Sequence, residues 1–536
     1  MRVPFSHPIK ERNIMTTTWS PYQLAVFDAG LSTRDNLVVE AVAGSGKTTT
    51  MLELIARLQG EQPEAKTFFG AFNKKIAVEI GAKLTKRGLA NAHAKTIHAV
   101  GFSAICFGNG RNTKTEVVKD KVDMLIAAKV MQRPDLAPFA SFVQRAVAMA
   151  KKIGIGLPEV CPIDNTAAWQ DMIDFYALDN NLGEGDDERL DKAIAFAICI
   201  LKASNNDRVR IDFDDMVYLA LVHRLRPLQY DTVIIDEAQD LNMTRLLLAS
   251  RMVKPGGRFV AVGDPHQAIY GFTGALADSM HRIVSMFRAR TLPLSVTYRS
   301  ARSIVREAQT YVPHIQARDG APEGSVTRIA GDTFAAYSFA DTDAVLCRNN
   351  APLVPAAFSA LRRGIPCRIE GRDIGKGLTA LTYKWKRATT LDSLRTKLEE
   401  WKDREIAKAA AKKNDTRIAL VTDQFDTLAF FIDNETAQKG DLASMRKRIE
   451  GMFSDSFDDA GNPAKPMLTF CSYHKSKGLE WSRVFLLDHT TYCPSPYAKQ
   501  AWQLQQEDNL AYVAITRAME TLIYVISDAQ EAALAA

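Results

Sequence analysis

Leu37-Val38-Val39-Glu40-Ala41-Val42-Ala43-Gly44-Ser45-Gly46-Lys47-Thr48 is an apolar run that passes through small residues into Gly-Lys-Thr. A helical pattern follows from Thr49 to Leu58. Strand, loop, helix is the order of the phosphate-gripping loop of nucleotide hydrolases. Small residues let backbone N–H groups converge on phosphate oxygens, and the helix N-terminus adds partial positive charge. Candidate phosphate binders are therefore Ala43, Gly44, Ser45, Gly46, Lys47, Thr48 and Thr49. Lys47 would reach the β- and γ-phosphates, and Thr48 would hold Mg²⁺. The strict pattern has Gly where Ala41 stands. A Gly-rich turn before a helix is the bland alternative.

A second stretch argues against that alternative. Tyr230-Asp231-Thr232-Val233-Ile234-Ile235-Asp236-Glu237-Ala238-Gln239-Asp240 is a Val/Ile run ending in adjacent carboxylates. Strands buried on both faces read as continuous Val/Ile, and open α/β sheets bind ligands at their carboxyl ends. Asp236 is placed to join the Mg²⁺ shell. Glu237 is placed to orient or deprotonate an attacking water.

The chain of 536 residues is too long for one core. Strand-like runs and helical patterns alternate in two blocks. The first holds Leu37–Glu40, Thr67–Ala71, Thr232–Asp236 and Phe259–Gly263. The second holds Ala344–Arg348, Cys367–Glu370, Met467–Ser472 and Val484–Asp488. Each block predicts a parallel sheet flanked by helices. The expected organisation is an extension over 1–18, a first α/β domain over 19–100 and 213–295, and its helical insertion over 101–212. A second α/β domain covers 296–375 and 465–536, with a short, basic helical insertion over 376–464.

The formal net charge of +6 permits a polyanionic partner. Seven scattered cysteines form no Cys-x-x-Cys pair, which fits a reducing cytoplasm. No apolar run approaches the roughly 20 residues that cross a bilayer, so no membrane partner is expected.

Further segments line up in order. They are Trp19-Ser20-Pro21-Tyr22-Gln23, Phe72-Asn73-Lys74, Thr96-Ile97-His98, Val262-Gly263-Asp264-Pro265-His266-Gln267-Ala268-Ile269-Tyr270-Gly271-Phe272-Thr273, Tyr298-Arg299-Ser300, Ser472-Tyr473-His474-Lys475-Ser476-Lys477-Gly478-Leu479-Glu480 and Asn509-Leu510-Ala511-Tyr512-Val513-Ala514-Ile515-Thr516-Arg517. Together they resemble the UvrD/Rep/PcrA family of superfamily 1 DNA helicases. The Gly-Asp-Pro-His-Gln wording is most similar to the F-box DNA helicase branch and its prokaryotic and phage relatives.

The resemblance implies two tandem RecA-like domains, ATP with Mg²⁺ as cofactors, and single-stranded DNA and duplex junctions as partners. It extends to proteins of DNA repair, recombination or replication, and to a cytoplasmic protein of bacterial or phage origin. Gln23 would read adenine, Tyr298 would stack on it, and Glu480 would accept a ribose hydroxyl. Gln267 would sense the γ-phosphate, with Arg299 and Arg517 approaching it from the second domain. Phe72, Asn73, His98, Tyr270, Phe272 and His474 would meet the strand, and Trp481 is a weaker stacking candidate. The family usually has Arg where Thr273 stands, so a charged link between the nucleotide and DNA sites is missing.

Between Lys376 and Lys413, 11 Lys/Arg face 5 Asp/Glu, with Trp385 and Trp401 interleaved. Such a segment tracks phosphates or forms a solvated helix face; nucleic-acid contact is the expectation here. Two rival functions are a P-loop kinase or metabolic ATPase, and a translocase that strips proteins with little unwinding. An RNA substrate is a further alternative.

Overall fold

The computed structural model describes residues 18–110, 112–176, 178, 187–269, 279–385, 387–411, 415–455, 464–499 and 501–526. Two all-parallel sheets dominate it. The first runs Ala92–Thr96, Thr67–Ala71, Tyr230–Ile235, Val253–Gly263, Leu37–Ala41, Arg290–Leu294 from edge to edge. The second runs Ser325–Ala330, Ala518–Ile526, Trp481–Leu487, Asp343–Cys347, Leu468–Ser472, Cys367–Glu370, Phe453–Ser454.

Alternation of side chains across each strand explains the continuous Val/Ile runs. Leu37, Val39, Ile234 and Val260 pack on one face of the first sheet with Met51 and Ile55. Val38, Val233 and Phe259 pack on the other. The second sheet divides likewise, with Val345, Phe470 and Phe485 on one face and Ala344, Cys471 and Leu486 on the other.

The helical segments are not detached bodies. Phe142, Val147, Trp169 and Ile194 share one continuous core with Val233 and Phe259 of the first sheet. Where the chain returns to that sheet, a buried charge cluster fastens it. Lys151 Nζ lies 2.5 Å from Asp212 Oδ2 and 2.6 Å from Asp215 Oδ1, and Lys121 Nζ lies 2.7 Å from Asp215 Oδ2. Removing one partner of such a pair costs about 3–5 kcal/mol. This segment also touches the second half, where Phe175 stacks on Trp502 with centroids 5.7 Å apart.

The second helical segment packs Leu398, Trp401, Val421 and Leu428 into the core that holds Phe470 and Phe485. Its short strand Phe453–Ser454 extends the second sheet beside Cys367–Glu370. Part of the basic run inside it is engaged within the insertion. Trp401 is buried and meets Trp385 edge to face. Arg395 pairs with Glu399 and Asp433, Lys397 with Glu400, and Lys408 and Arg417 with Glu405. Side-chain pairing on a solvated helix accounts for Arg395, Lys397 and Lys408 of the run.

All seven cysteines are free, and no helix among the described residues is long and apolar enough to cross a membrane.

Candidate functional site

The strand Leu37–Ala41 lies between Val253–Gly263 and Arg290–Leu294, so the loop after it emerges mid-sheet at the carboxyl ends. Gly44 and Gly46 hold φ of +71° and +77°, which glycine adopts without penalty. Gly46 caps the helix Lys47–Glu61. Asp236 and Glu237 follow Tyr230–Ile235 on the same sheet. Glu237 sits in the left-handed region at φ 53°, an unusual place for a side-chain-bearing residue. This turn points its carboxylate at the loop, with Oε2 3.7 Å from Lys47 Nζ. Thr48 Oγ1 donates to Asp236 Oδ2 at 3.1 Å.

Electrostatics follow from burial. Burial opposes charge on Lys47, but the carboxylates of Glu237, Asp264 and Asp236 outweigh it and hold the ammonium above its ordinary pKa. Burial and the adjacent Glu237 push Asp236 up. Burial also opposes ionisation of Glu237, yet Lys47 and then Lys477 bring it well below the usual carboxylate range. Glu237 is thus an ionised carboxylate beside a buried ammonium.

Gln239 and Asp264 frame this centre, and the sequence reading gives neither a role. Gln239 Nε2 donates to Glu237 Oε2 at 2.6 Å, and Gln239 Oε1 accepts from Asp264 N at 3.0 Å. Asp264 Oδ2 in turn accepts from Gln267 Nε2 at 2.8 Å.

The second half closes the other side. Tyr298 N donates to Gly44 O at 2.9 Å. A Cβ on Gly44 would lie 2.6 Å from Arg299 Cβ and from Thr297 Oγ1. Tyr298 OH donates to Gln23 Oε1 at 3.1 Å, and Gln23 Nε2 donates to Thr50 Oγ1 at 2.9 Å. Gln23 also completes a capping box with Ser20 at the helix Pro21–Ser32. Gln23 and Tyr298 therefore stand together beside the loop.

Arg299 Nε donates to Glu480 Oε2 at 2.7 Å, and its NH1 donates to Thr516 O. Arg517 is 1% exposed and donates to Val513 O, Leu479 O and Thr516 Oγ1. Burial, then Arg299, pushes its pKa down to about 9, so it stays charged at neutral pH. In this structure both guanidiniums are held by second-half groups.

Three contacts lay beyond sequence reasoning because each joins residues far apart in the chain. Tyr512 OH accepts from Ala43 N at 2.9 Å. The N–H of Ala43, expected to face phosphate, is thus engaged by the second half, and that of Ser45 donates to Val42 O. Lys477 Nζ donates to Asp240 Oδ2 at 2.7 Å and to Gln267 O at 2.6 Å. Phe213 stacks on His98 at 4.1 Å while remaining 56% exposed.

Of the strand-contact candidates, Phe72 is exposed, and Asn73 caps the helix Lys74–Lys86 by accepting from Ile76 N. Burial pushes the pKa of His98 down to about 3, with Arg245 adding to the shift. It pushes His474 down to about 3 as well, with Arg348 and Lys475 adding. Both imidazoles are neutral at physiological pH. Trp481 is partly buried and packs against the second-half core. Tyr270, Phe272 and Thr273 lie outside the described residues.

Two parallel sheets enclosing a phosphate loop between them define the tandem P-loop class. Residues 23–288 match the UvrD/REP helicase N-terminal domain and residues 369–529 the UvrD-like helicase C-terminal domain. The chain belongs to the UvrD/Rep helicase family. It is 25% identical over 562 residues to F-box DNA helicase protein 1 of Schizosaccharomyces pombe, covering 95% of this chain and 59% of that protein. It is 25% identical over 572 residues to the ATP-dependent DNA helicase UvrD2 of Mycobacterium tuberculosis, covering 92% and 76%. Against the ATP-dependent DNA helicase Rep of Escherichia coli it is 25% identical over 309 residues, covering 52% and 42%. The chain thus spans less than two thirds of the F-box protein and under half of Rep, and the relatives are both fungal and bacterial.

Proposed function

We propose that this protein is an ATP-dependent DNA helicase that moves 3′→5′ on single-stranded DNA and unwinds duplex at junctions. The observation that carries this reading is the seam where Lys47 and Glu237 of the first half lie within electrostatic reach of Arg299 and Arg517 of the second, with Tyr512 bonded to the phosphate loop. The descriptions of UvrD2 and Rep as ATP-dependent DNA helicases support it.

In this account 19–100 with 213–295, and 296–375 with 465–536, are the two motor domains. ATP binds between them. Thr48 and Asp236 offer a hydroxyl and a carboxylate side by side, hard oxygen donors of the kind Mg²⁺ takes beside phosphates. The ion would neutralise phosphate charge there. Lys47 balances the phosphates, and Glu237, ionised beside it, orients or deprotonates the attacking water. Gln23 and Tyr298 hold the adenine, and Glu480 accepts from the ribose.

Bound phosphate offers Arg299 and Arg517 a stronger partner than their present ones, because the guanidinium fork matches phosphate oxygens. Their move toward it draws the domains together, and hydrolysis releases them. Single-stranded DNA would cross Phe72, Asn73, His98 and His474, with Tyr270 and Phe272 stacking on bases at about 1–3 kcal/mol each. Phe213 adds an exposed ring on the face of His98. Partners of this activity are DNA repair, recombination or replication proteins.

A second reading, translocation that strips bound proteins with little unwinding, is favoured by one observation. The short second insertion buries Trp401 and pairs part of its basic charge, Arg395 and Arg417 included, with its own carboxylates, which weakens the case for a duplex grip there. Forked duplexes with 3′ or 5′ tails, run beside streptavidin displacement, test both. Unwinding of 3′-tailed substrate is expected. Streptavidin release without unwinding selects the second reading, and neither activity overturns both.

A further inference from the structure

Three consecutive backbone carbonyls of the first half are each held by a different side chain of the second. Gln267 O accepts from Lys477 Nζ at 2.6 Å, Ala268 O from Asn509 Nδ2 at 3.0 Å, and Ile269 O from Gln506 Nε2 at 2.8 Å. Gln506 and Asn509 are three apart on the helix Ala501–Ile515, so they share one face. Tyr512, three further on, continues that face to Ala43 N and to Asp264 Oδ2 at 3.4 Å. Ile269 itself is fully buried in the second-half core.

The orientation of Asn509 is determined as well. Gln505 Nε2 donates to Asn509 Oδ1 at 3.3 Å, which turns the amide N–H toward Ala268 O. Asn509 is 5% exposed, and a buried carbonyl that lost its donor would carry a desolvation cost. Segment 267–269 is therefore fastened to the second half, although it continues from a strand of the first sheet.

We propose that Gln506 and Asn509 are positioning residues that fix Gln267 relative to the second half. Domain closure then reaches Gln267 through its own backbone. The inference rests on the helicase reading above.

The test is steady-state ATP hydrolysis by the full chain with saturating oligo-dT, for Asn509→Asp, Gln506→Glu and the double variant. Each substitution keeps size and turns the N–H donor into an acceptor facing a carbonyl. Turnover should fall at least about tenfold in the double variant, about 1.4 kcal/mol. KM for ATP should move less than about threefold, because the phosphate loop keeps its contacts. Gln506→Lys retains a donor and should restore most of the rate lost by Gln506→Glu. Wild-type turnover in the double variant overturns the proposal, as does a Gln506→Lys rate as low as that of Gln506→Glu. Thermal unfolding checks folding, and if the double variant does not fold, the single variants decide. A wild-type protein whose ATP turnover ignores DNA overturns the helicase reading instead, and the variants are then compared on turnover without DNA.

Discussion

The hydroxyl of Tyr512 accepts a hydrogen bond from the backbone N–H of Ala43 at 2.9 Å, across a sequence separation of 469. Both residues are buried. The contact ties the helix Ala501–Ile515 to the phosphate loop of the opposite sheet. Tyr512→Phe removes the oxygen and leaves the N–H of Ala43 without a partner. Such a loss costs about 1–3 kcal/mol, which urea unfolding would register. A variant as stable as wild type would mean that water satisfies the loop and that the tie is incidental.

Lys47 and Glu237 face each other at 3.7 Å. Lys47→Ala should lose ATP turnover, since no other cation occupies the phosphate loop. Glu237→Gln should bind a fluorescent ATP analogue yet hydrolyse ATP about 10²–10⁴ times more slowly, the range for loss of a positioned base. Full turnover in Glu237→Gln would remove it from the role of water-activating residue.

Gly44→Ala should weaken nucleotide binding and loosen the contact between halves together. The position combines φ +71° with a Cβ path blocked 2.6 Å away by Arg299 and Thr297. A left-handed conformation alone costs a side-chain-bearing residue about 1–3 kcal/mol. Calorimetric titration with ATP is the check, and unchanged affinity would contradict this geometry.

His489 bonds Tyr473 OH through Nδ1 at 2.7 Å, and burial pushes its pKa down to about 4. The unfolded value is about 6.5, so between these two pH values the folded state binds fewer protons than the unfolded state. The stability it contributes is full above the unfolded pKa and is lost as pH falls from there toward 4. His489→Asn should therefore show a smaller drop in Tm between pH 7 and pH 5 than wild type. An equal drop would place the acid sensitivity elsewhere.

Much of this architecture is legible from sequence because its signals are local. Interior strands such as Leu37–Ala41 and Tyr230–Ile235 fall where Val and Ile runs put them. Lys47, Thr48, Asp236 and Glu237 are legible because each sits in a short run of fixed spacing. The edge strands Ala92–Thr96, Arg290–Leu294 and Ser325–Ala330 are not, since each is half solvated and lacks a continuous apolar run. Trp401 misleads because aromatic residues among basic ones look alike whether they face a strand or a core. Tyr512, Lys477, Gln506 and Asn509 gain their roles only when the two halves meet, which no window of sequence contains.

The central claim is that one nucleotide site is built from both halves and driven by DNA. The most direct measurement is ATP turnover without polymer and with single-stranded DNA, duplex or RNA, for wild type and Arg517→Ala. Wild type should be stimulated most by single-stranded DNA. Arg517→Ala should fall by about 10³ or more, the scale set by arginines in related phosphoryl transfers, while its DNA affinity without nucleotide stays near wild type. Turnover indifferent to every polymer, or an Arg517→Ala variant as active as wild type, would contradict the account.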